Sequence, residues 1–181
     1  MTEAAQSIIT PELLSWVGRK SPLARLEIMT ASDVRRYVDA TGDANALWLD
    51  DEFARGAGYR GRLLPPPLVG WIPFSFREGP EESGSNTTDL RRQLPLPKAY
   101  TNVRNAGSET EWVQPVYLGE QLSTQSCILD ICARQGRAGL GIYVTQEEQI
   151  RNSREEIVMH RRHTVAVFPE KKFSGAQGEP A

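Results

Sequence analysis

Beyond residue 97 the chain reads as four long strands in succession, and this run constrains the fold more than any other feature. The runs are Glu109 to Val116, Gln121 to Arg134, Gly139 to Arg151 and Ile157 to Phe168, divided by turn signals at Gly119, Gln135-Gly136-Arg137 and Asn152-Ser153-Arg154. In the third, Leu140, Ile142 and Val144 alternate with Gly141, Tyr143 and Thr145, which places one face on a core. Ahead of the strands lies a segment with Pro66 or Pro67 in its first turn and Leu68, Val69, Trp71, Ile72, Phe74 and Phe76 almost all round. This is the pattern of a buried helix, with Pro73 ending it early or kinking it. Sequential strands following one buried helix imply an α+β fold, an antiparallel sheet wrapped about that helix.

The rest of the chain fits a single unit of residues 1–170, with 77–97 a long polar loop or insertion and 171–181 a frayed tail. Thr10 with Pro11 starts a helix running to Val17, Leu26 to Met29 suggests a short strand, and Ser32 caps a helix that Gly42 ends. Val34, Tyr37, Val38 and Thr41 share one face of that helix. Asp43 therefore falls just past a helix end, on irregular backbone of the kind that carries functional side chains.

A formal charge of −2 and a pI near 5.8 argue against non-specific nucleic-acid binding. No apolar run is long enough to span a bilayer, and Met1 to Gln6 lacks the features of a secretory leader, so the cytoplasm is the expected compartment. Cys127 and Cys132, in one expected strand, should point to opposite faces as apolar fillers rather than pair. No metal-ligand spacing is present. His160 and His163 should also alternate faces, and Glu109 and Glu111 share one. The pairs Arg60/Arg62, Arg91/Arg92 and Arg161/Arg162 match phosphate geometry, although any single pair is more commonly a solvated face.

One stretch carries chemistry: Tyr37-Val38-Asp39-Ala40-Thr41-Gly42-Asp43-Ala44-Asn45-Ala46-Leu47-Trp48-Leu49-Asp50, then Gly58-Tyr59-Arg60-Gly61-Arg62-Leu63-Leu64-Pro65-Pro66. It resembles the MaoC-like enoyl-CoA hydratase/dehydratase family of hotdog proteins, whose run is close to G-D-x-N-P-[hydrophobic]-H. The resemblance implies a hotdog fold and puts Asp43 on the catalytic aspartate and Asn45 on the asparagine. Ala46 stands at the proline position and Trp48 at the catalytic histidine. Indole donates a hydrogen bond but does not titrate, so half of the acid/base pair needed for hydrating an enoyl thioester is missing. Where active members have a histidine-glycine pair whose N–H serves the thioester oxygen, this chain has Pro65-Pro66-Pro67, and Pro66 has no N–H to give.

Ser15-Trp16-Val17-Gly18-Arg19-Lys20, the run Ala106 to Val116, Gly119-Glu120 and Gly136 to Val144 bring the chain closer to the FAS1-type dehydratase subgroup. That subgroup supplies the N-terminal half of double-hotdog dehydratases or a separate subunit of heteromeric ones. The implied role is the accessory half of a heteromeric hydro-lyase of fatty acid metabolism, with an acyl thioester as substrate, no cofactor, and a second MaoC-like subunit or another copy as partner. Trp48, Pro66, Trp71 and Phe74 would line its acyl site, although aromatics at helical spacing are more often core. Two other readings stay open: a self-sufficient homodimeric hydratase using Asp43, and a non-catalytic module that binds acyl-CoA or an acyl-carrier. Asp43 and Asn45 also have a purely structural reading as caps of nearby backbone.

Overall fold

The computed structural model of the chain describes residues 8–75 and 89–170, and of residues 72–75 the backbone alone. Residues 171–181, expected to fray, and most of the expected 77–97 loop lie outside the described residues. The described part of that loop contains a short 3-10 helix, Leu90–Gln93.

The helices are α1 (Pro11–Leu14), α2 (Ala31–Thr41), α3 (Ala46–Leu49), α4 (Asp51–Gly56) and α5 (Pro66–Ser75), and the strands are β1 (Ala24–Arg25), β2 (Tyr100–Trp112), β3 (Ser123–Gly136), β4 (Gly139–Arg151) and β5 (Ile157–Pro169). They form one five-stranded sheet in the order β1-β3-β4-β5-β2, with every pairing antiparallel. Gly139, at φ +105, closes the β3–β4 hairpin in a conformation that glycine adopts without strain. At the β4–β5 turn the Asn152 carboxamide oxygen accepts the N–H groups of Arg154 at 2.9 Å and Glu156 at 3.0 Å.

Four expectations shift. The first strand is Ala24–Arg25 rather than Leu26 to Met29, because only that dipeptide pairs with Ser123 and Thr124. Edge strand β2 begins at Tyr100 and ends at Trp112 rather than running from Glu109 to Val116. Its outer half is exposed and lacks the alternation that betrays a half-buried strand. Helix α1 stops at Leu14, short of Val17, and α2 is capped at Thr30, whose N–H and hydroxyl donate to Asp33 at 2.9 and 2.6 Å, not at Ser32.

One face of the sheet is the core face. Around α5, Leu68 and Val69 pack with Ile150, Val158, Met159, Leu122 and Trp48, while Leu13, Leu90 and Leu94 cover Ile128, Ile142, Val144 and Val167 further along. Each such side chain contributes about 1.5–3 kcal/mol on burial. Between the two clusters lies a polar band. Glu148 pairs with Arg161, the Thr124 hydroxyl donates to Glu148 at 3.3 Å, and Arg161 donates to the Gly70 carbonyl of α5 at 2.8 Å, tying helix to sheet. The expectation of a helix buried all round holds only in part, since Trp71 is 61% exposed.

A bulge between Ile128 and Asp130 changes the parity of β3. Cys127 therefore sits opposite Glu147 and Cys132 opposite Tyr143, on the same outer face rather than on opposite ones. Both thiols are free and half-buried, not fully buried fillers. His160 and His163 do alternate: His160 lies across from Gln149 on the outer face, and His163 across from Gln146 on the inner.

Candidate functional site

The segment Gly42 to Asp50 is a chain of helix ends. Gly42 closes α2 in the left-handed region at φ 73, and the Asn45 side chain accepts the Leu47 N–H at 3.0 Å as N-cap of α3. Asp50 then accepts the N–H groups of Glu52 and Phe53 at 2.8 and 3.0 Å to cap α4. Two of the three polar positions in the motif thus satisfy orphaned backbone donors.

Asp43 does not. Its own N–H donates to the Thr41 hydroxyl at 3.3 Å, while its carboxylate accepts no backbone N–H among the described residues. The one hydrogen bond to that carboxylate among the described residues comes from the Trp48 indole, Nε1–H to Oδ2 at 3.1 Å. Trp48 is 8% exposed and packs in the cluster around α5. The half-buried aspartate therefore faces a donor that holds one oxygen but exchanges no proton, and leaves Oδ1 without a described partner.

A cavity of about 390 Å³ opens beside this segment, lined by Met29, Asp33, Arg36, Tyr37, Ala40 and Thr41 from α2 and its approach and by Pro67, Leu68 and Trp71 from α5. Of the residues anticipated for an acyl site whose side chains are described, only Trp71 lines it. Trp48 is core, the Pro66 carbonyl accepts the Trp112 indole N–H at 2.9 Å, and the Phe74 side chain lies outside the described residues. Asp33, Tyr37 and Thr41 recur every fourth residue, so this polar-aromatic stripe was the signal for a lined cavity. Tyr37 and Thr41 share a helical face with Val34 in the sequence, and Tyr37 also packs against the core cluster around α5.

The histidines stand apart from Asp43. His163 accepts from Arg91 at 2.6 Å through Nδ1, and Arg91 is itself held by Asp89 at 2.7 Å. Burial, then Arg91 and Arg161, hold the imidazole below its ordinary pKa, against a smaller pull from Asp89. His160 shares an outer-face cavity of about 190 Å³ with Glu109, Glu111, Glu147 and Arg162. Among the described residues no three His, Cys, Asp or Glu converge on a metal-sized site, and no helix is long and apolar enough to cross a membrane.

A model of the FAS1-like, dehydratase domain region family matches residues 15–161. A probable enoyl-CoA hydratase alpha subunit from Thermomonospora curvata is 27% identical over 174 residues, spanning 93% of this chain, whereas the chain spans 54% of that relative's length. Among solved structures, the ChsH1-ChsH2 complex from Mycobacterium tuberculosis is similar with a TM-score of 0.69 at 19% identity, covering 94% of each chain. A MaoC-like dehydratase from Rhodospirillum rubrum is similar at 0.59 and 20% identity, covering 86% of this chain and 94% of its own. These likenesses bear out the hotdog architecture.

Proposed function

The chain belongs to the FAS1-like dehydratase family within the MaoC-like hydratases and dehydratases, and on that premise we propose that it is the accessory half of a heteromeric enoyl thioester hydratase or dehydratase. The observation that carries this reading is the Trp48 indole on the Asp43 carboxylate. At the position where the family's histidine would titrate, a group that cannot move a proton occupies the aspartate. Pro66, without an N–H, removes a second catalytic element.

Two further observations support a partner. Strand β2 is a 13-residue sheet edge, largely exposed, with Val103 60% and Trp112 48% accessible. An edge of that length and character invites a pairing strand. The cavity between α2 and α5 supplies an apolar wall for an acyl chain, with Trp71 at its rim. In this account the chain completes the double hotdog and shapes the acyl site, while the partner carries an intact Asp/His pair.

The Oδ1 of Asp43, without a partner among the described residues, favours one alternative, a homodimeric hydratase in which this carboxylate alone activates water. Hydration of crotonyl-CoA by the purified chain, with and without any MaoC-like protein encoded in an adjacent reading frame, separates the two. The accessory role expects turnover only in the mixture. Turnover by the chain alone that disappears in Asp43→Asn would establish the alternative.

A further inference from the structure

A second cavity, of about 550 Å³, lies between the Arg60–Arg62 loop and the loop that precedes β3, with Asp51, Tyr117, Gln121 and Ser153 among its walls. We infer that Arg62, with Arg60 beside it, receives the phosphates at the nucleotide end of coenzyme A. The inference rests on the reading of the chain as a thioester-binding subunit and names where the carrier half of that thioester docks.

The two arginines play unequal parts. Arg60 is already committed: its guanidinium lies over the Tyr117 ring at 3.9 Å and pairs with Glu120 at 3.0 Å, while the other Glu120 oxygen accepts the Tyr117 N–H at 3.1 Å. Arg62 is pinned only by its backbone, its N–H donating to Asp51 at 3.3 Å and its carbonyl accepting from Leu118 at 3.0 Å. Its half-buried guanidinium meets no acceptor among the described residues. The carboxylates nearby are taken, Glu120 by Arg60 and Asp51 by Arg55 at 2.8 Å, so the Arg62 charge is the uncompensated one.

A guanidinium presents five N–H donors in a plane that matches phosphate, and desolvating it without an acceptor is costly. A dianionic phosphate satisfies both needs. The planar Arg60–Tyr117 stack beside it offers a surface on which a purine ring can lie, and the volume falls in the range of small-molecule sites. From Arg62 the chain runs through Leu63 and Leu64 into α5, whose Pro67 lines the apolar cavity. Five residues reach at most about 17 Å, a distance the pantetheine arm can bridge.

The test is calorimetric, on the full chain with its partner subunit if one is required. Probes are adenosine 3′,5′-bisphosphate, phosphopantetheine, crotonyl-CoA and the phosphate-free thioester S-crotonyl-N-acetylcysteamine. Adenosine 3′,5′-bisphosphate should bind, more weakly as salt rises. Arg62→Gln should weaken it and crotonyl-CoA about tenfold or more, the scale of a lost charge-assisted contact, and leave the phosphate-free thioester unchanged. Arg62→Lys should fall between. Crotonyl-CoA affinity within about twofold of the parent in Arg62→Gln overturns the inference, as does binding of phosphopantetheine but not the bisphosphate. Bisphosphate binding lost in Arg62→Gln, with neither thioester bound, would leave the phosphate site standing and sink the acyl thioester reading.

Discussion

The Asp43–Trp48 hydrogen bond can be weighed by a double-mutant cycle. Trp48→Phe keeps a ring in the core but removes the N–H, Asp43→Ala removes the acceptor, and the double variant removes both. A hydrogen bond to an ionised acceptor contributes about 1.5–3 kcal/mol. Because Asp43 is only half-buried, the coupling should fall toward the lower end, about 1–2 kcal/mol. Trp48→Phe also gives up the fused ring's apolar burial, roughly 1 kcal/mol more at ~25 cal/mol per Å², so its total loss is about 2–3 kcal/mol. With a urea m-value of about 2 kcal/mol/M, this moves the unfolding midpoint down by about 1–1.5 M.

The cycle cancels the packing loss and isolates the contact, provided all four proteins are compared at one chain concentration in case they associate. Asp43→Ala strands the indole N–H at a site that is 8% exposed, and the double variant relieves that penalty. A coupling below about 0.3 kcal/mol, the ordinary error of additivity, would refute the claim that Trp48 holds this carboxylate.

Three other outcomes follow from the packing. A Cβ on Gly141 would meet the Phe168 ring at 2.7 Å, so Gly141→Ala should cost about 1–3 kcal/mol of stability in urea unfolding, and Phe168→Leu in the same chain should recover part of it. Removing Glu148 breaks a largely buried ion pair under α5 while Arg161 keeps the Gly70 carbonyl, so Glu148→Ala should lose about 1–3 kcal/mol, visible as a fall in Tm of about 2–12 °C. His163 is the third. The unfolded imidazole takes up a proton near 6.5, and the folded one resists because burial, Arg91 and Arg161 disfavour the cation. Stability is therefore whole above that pH and is lost as pH falls from about 6.5 through the lowered folded value, and His163→Gln should flatten the urea midpoint across that window.

Much of the sheet was legible because burial imposes a period. The span Gly139–Arg151 emerged with its limits intact, since Leu140 to Ile150 alternate along it. Strand β2 was not, because an exposed edge need not alternate, and its bulge at Asn105/Gly107, with Gly107 at φ 139, breaks what periodicity there is. The cysteine facing failed for the same class of reason: a bulge adds one residue and reverses every side chain beyond it, and nothing in Ile128-Leu129-Asp130 announces it. Asp43 was legible as a position on irregular backbone after Gly42, but not its bond to Trp48, which depends on a turn of helix between them. Asn45 could be read as a cap from its residue type alone, and it is one.

The most direct test of the accessory role replaces Asp43 inside the assembled enzyme. The chain and the catalytic MaoC-like partner that the account requires are mixed at one to one, and crotonyl-CoA hydration is followed for Asp43→Asn in this chain and, separately, for the matching aspartate in the partner. The account expects the first complex to keep kcat within about threefold of the parent and the second to lose about 10²-fold or more, the scale of a missing acid/base group. A loss of that size from Asp43→Asn, in a complex that still assembles, would contradict it and place the chemistry on this chain.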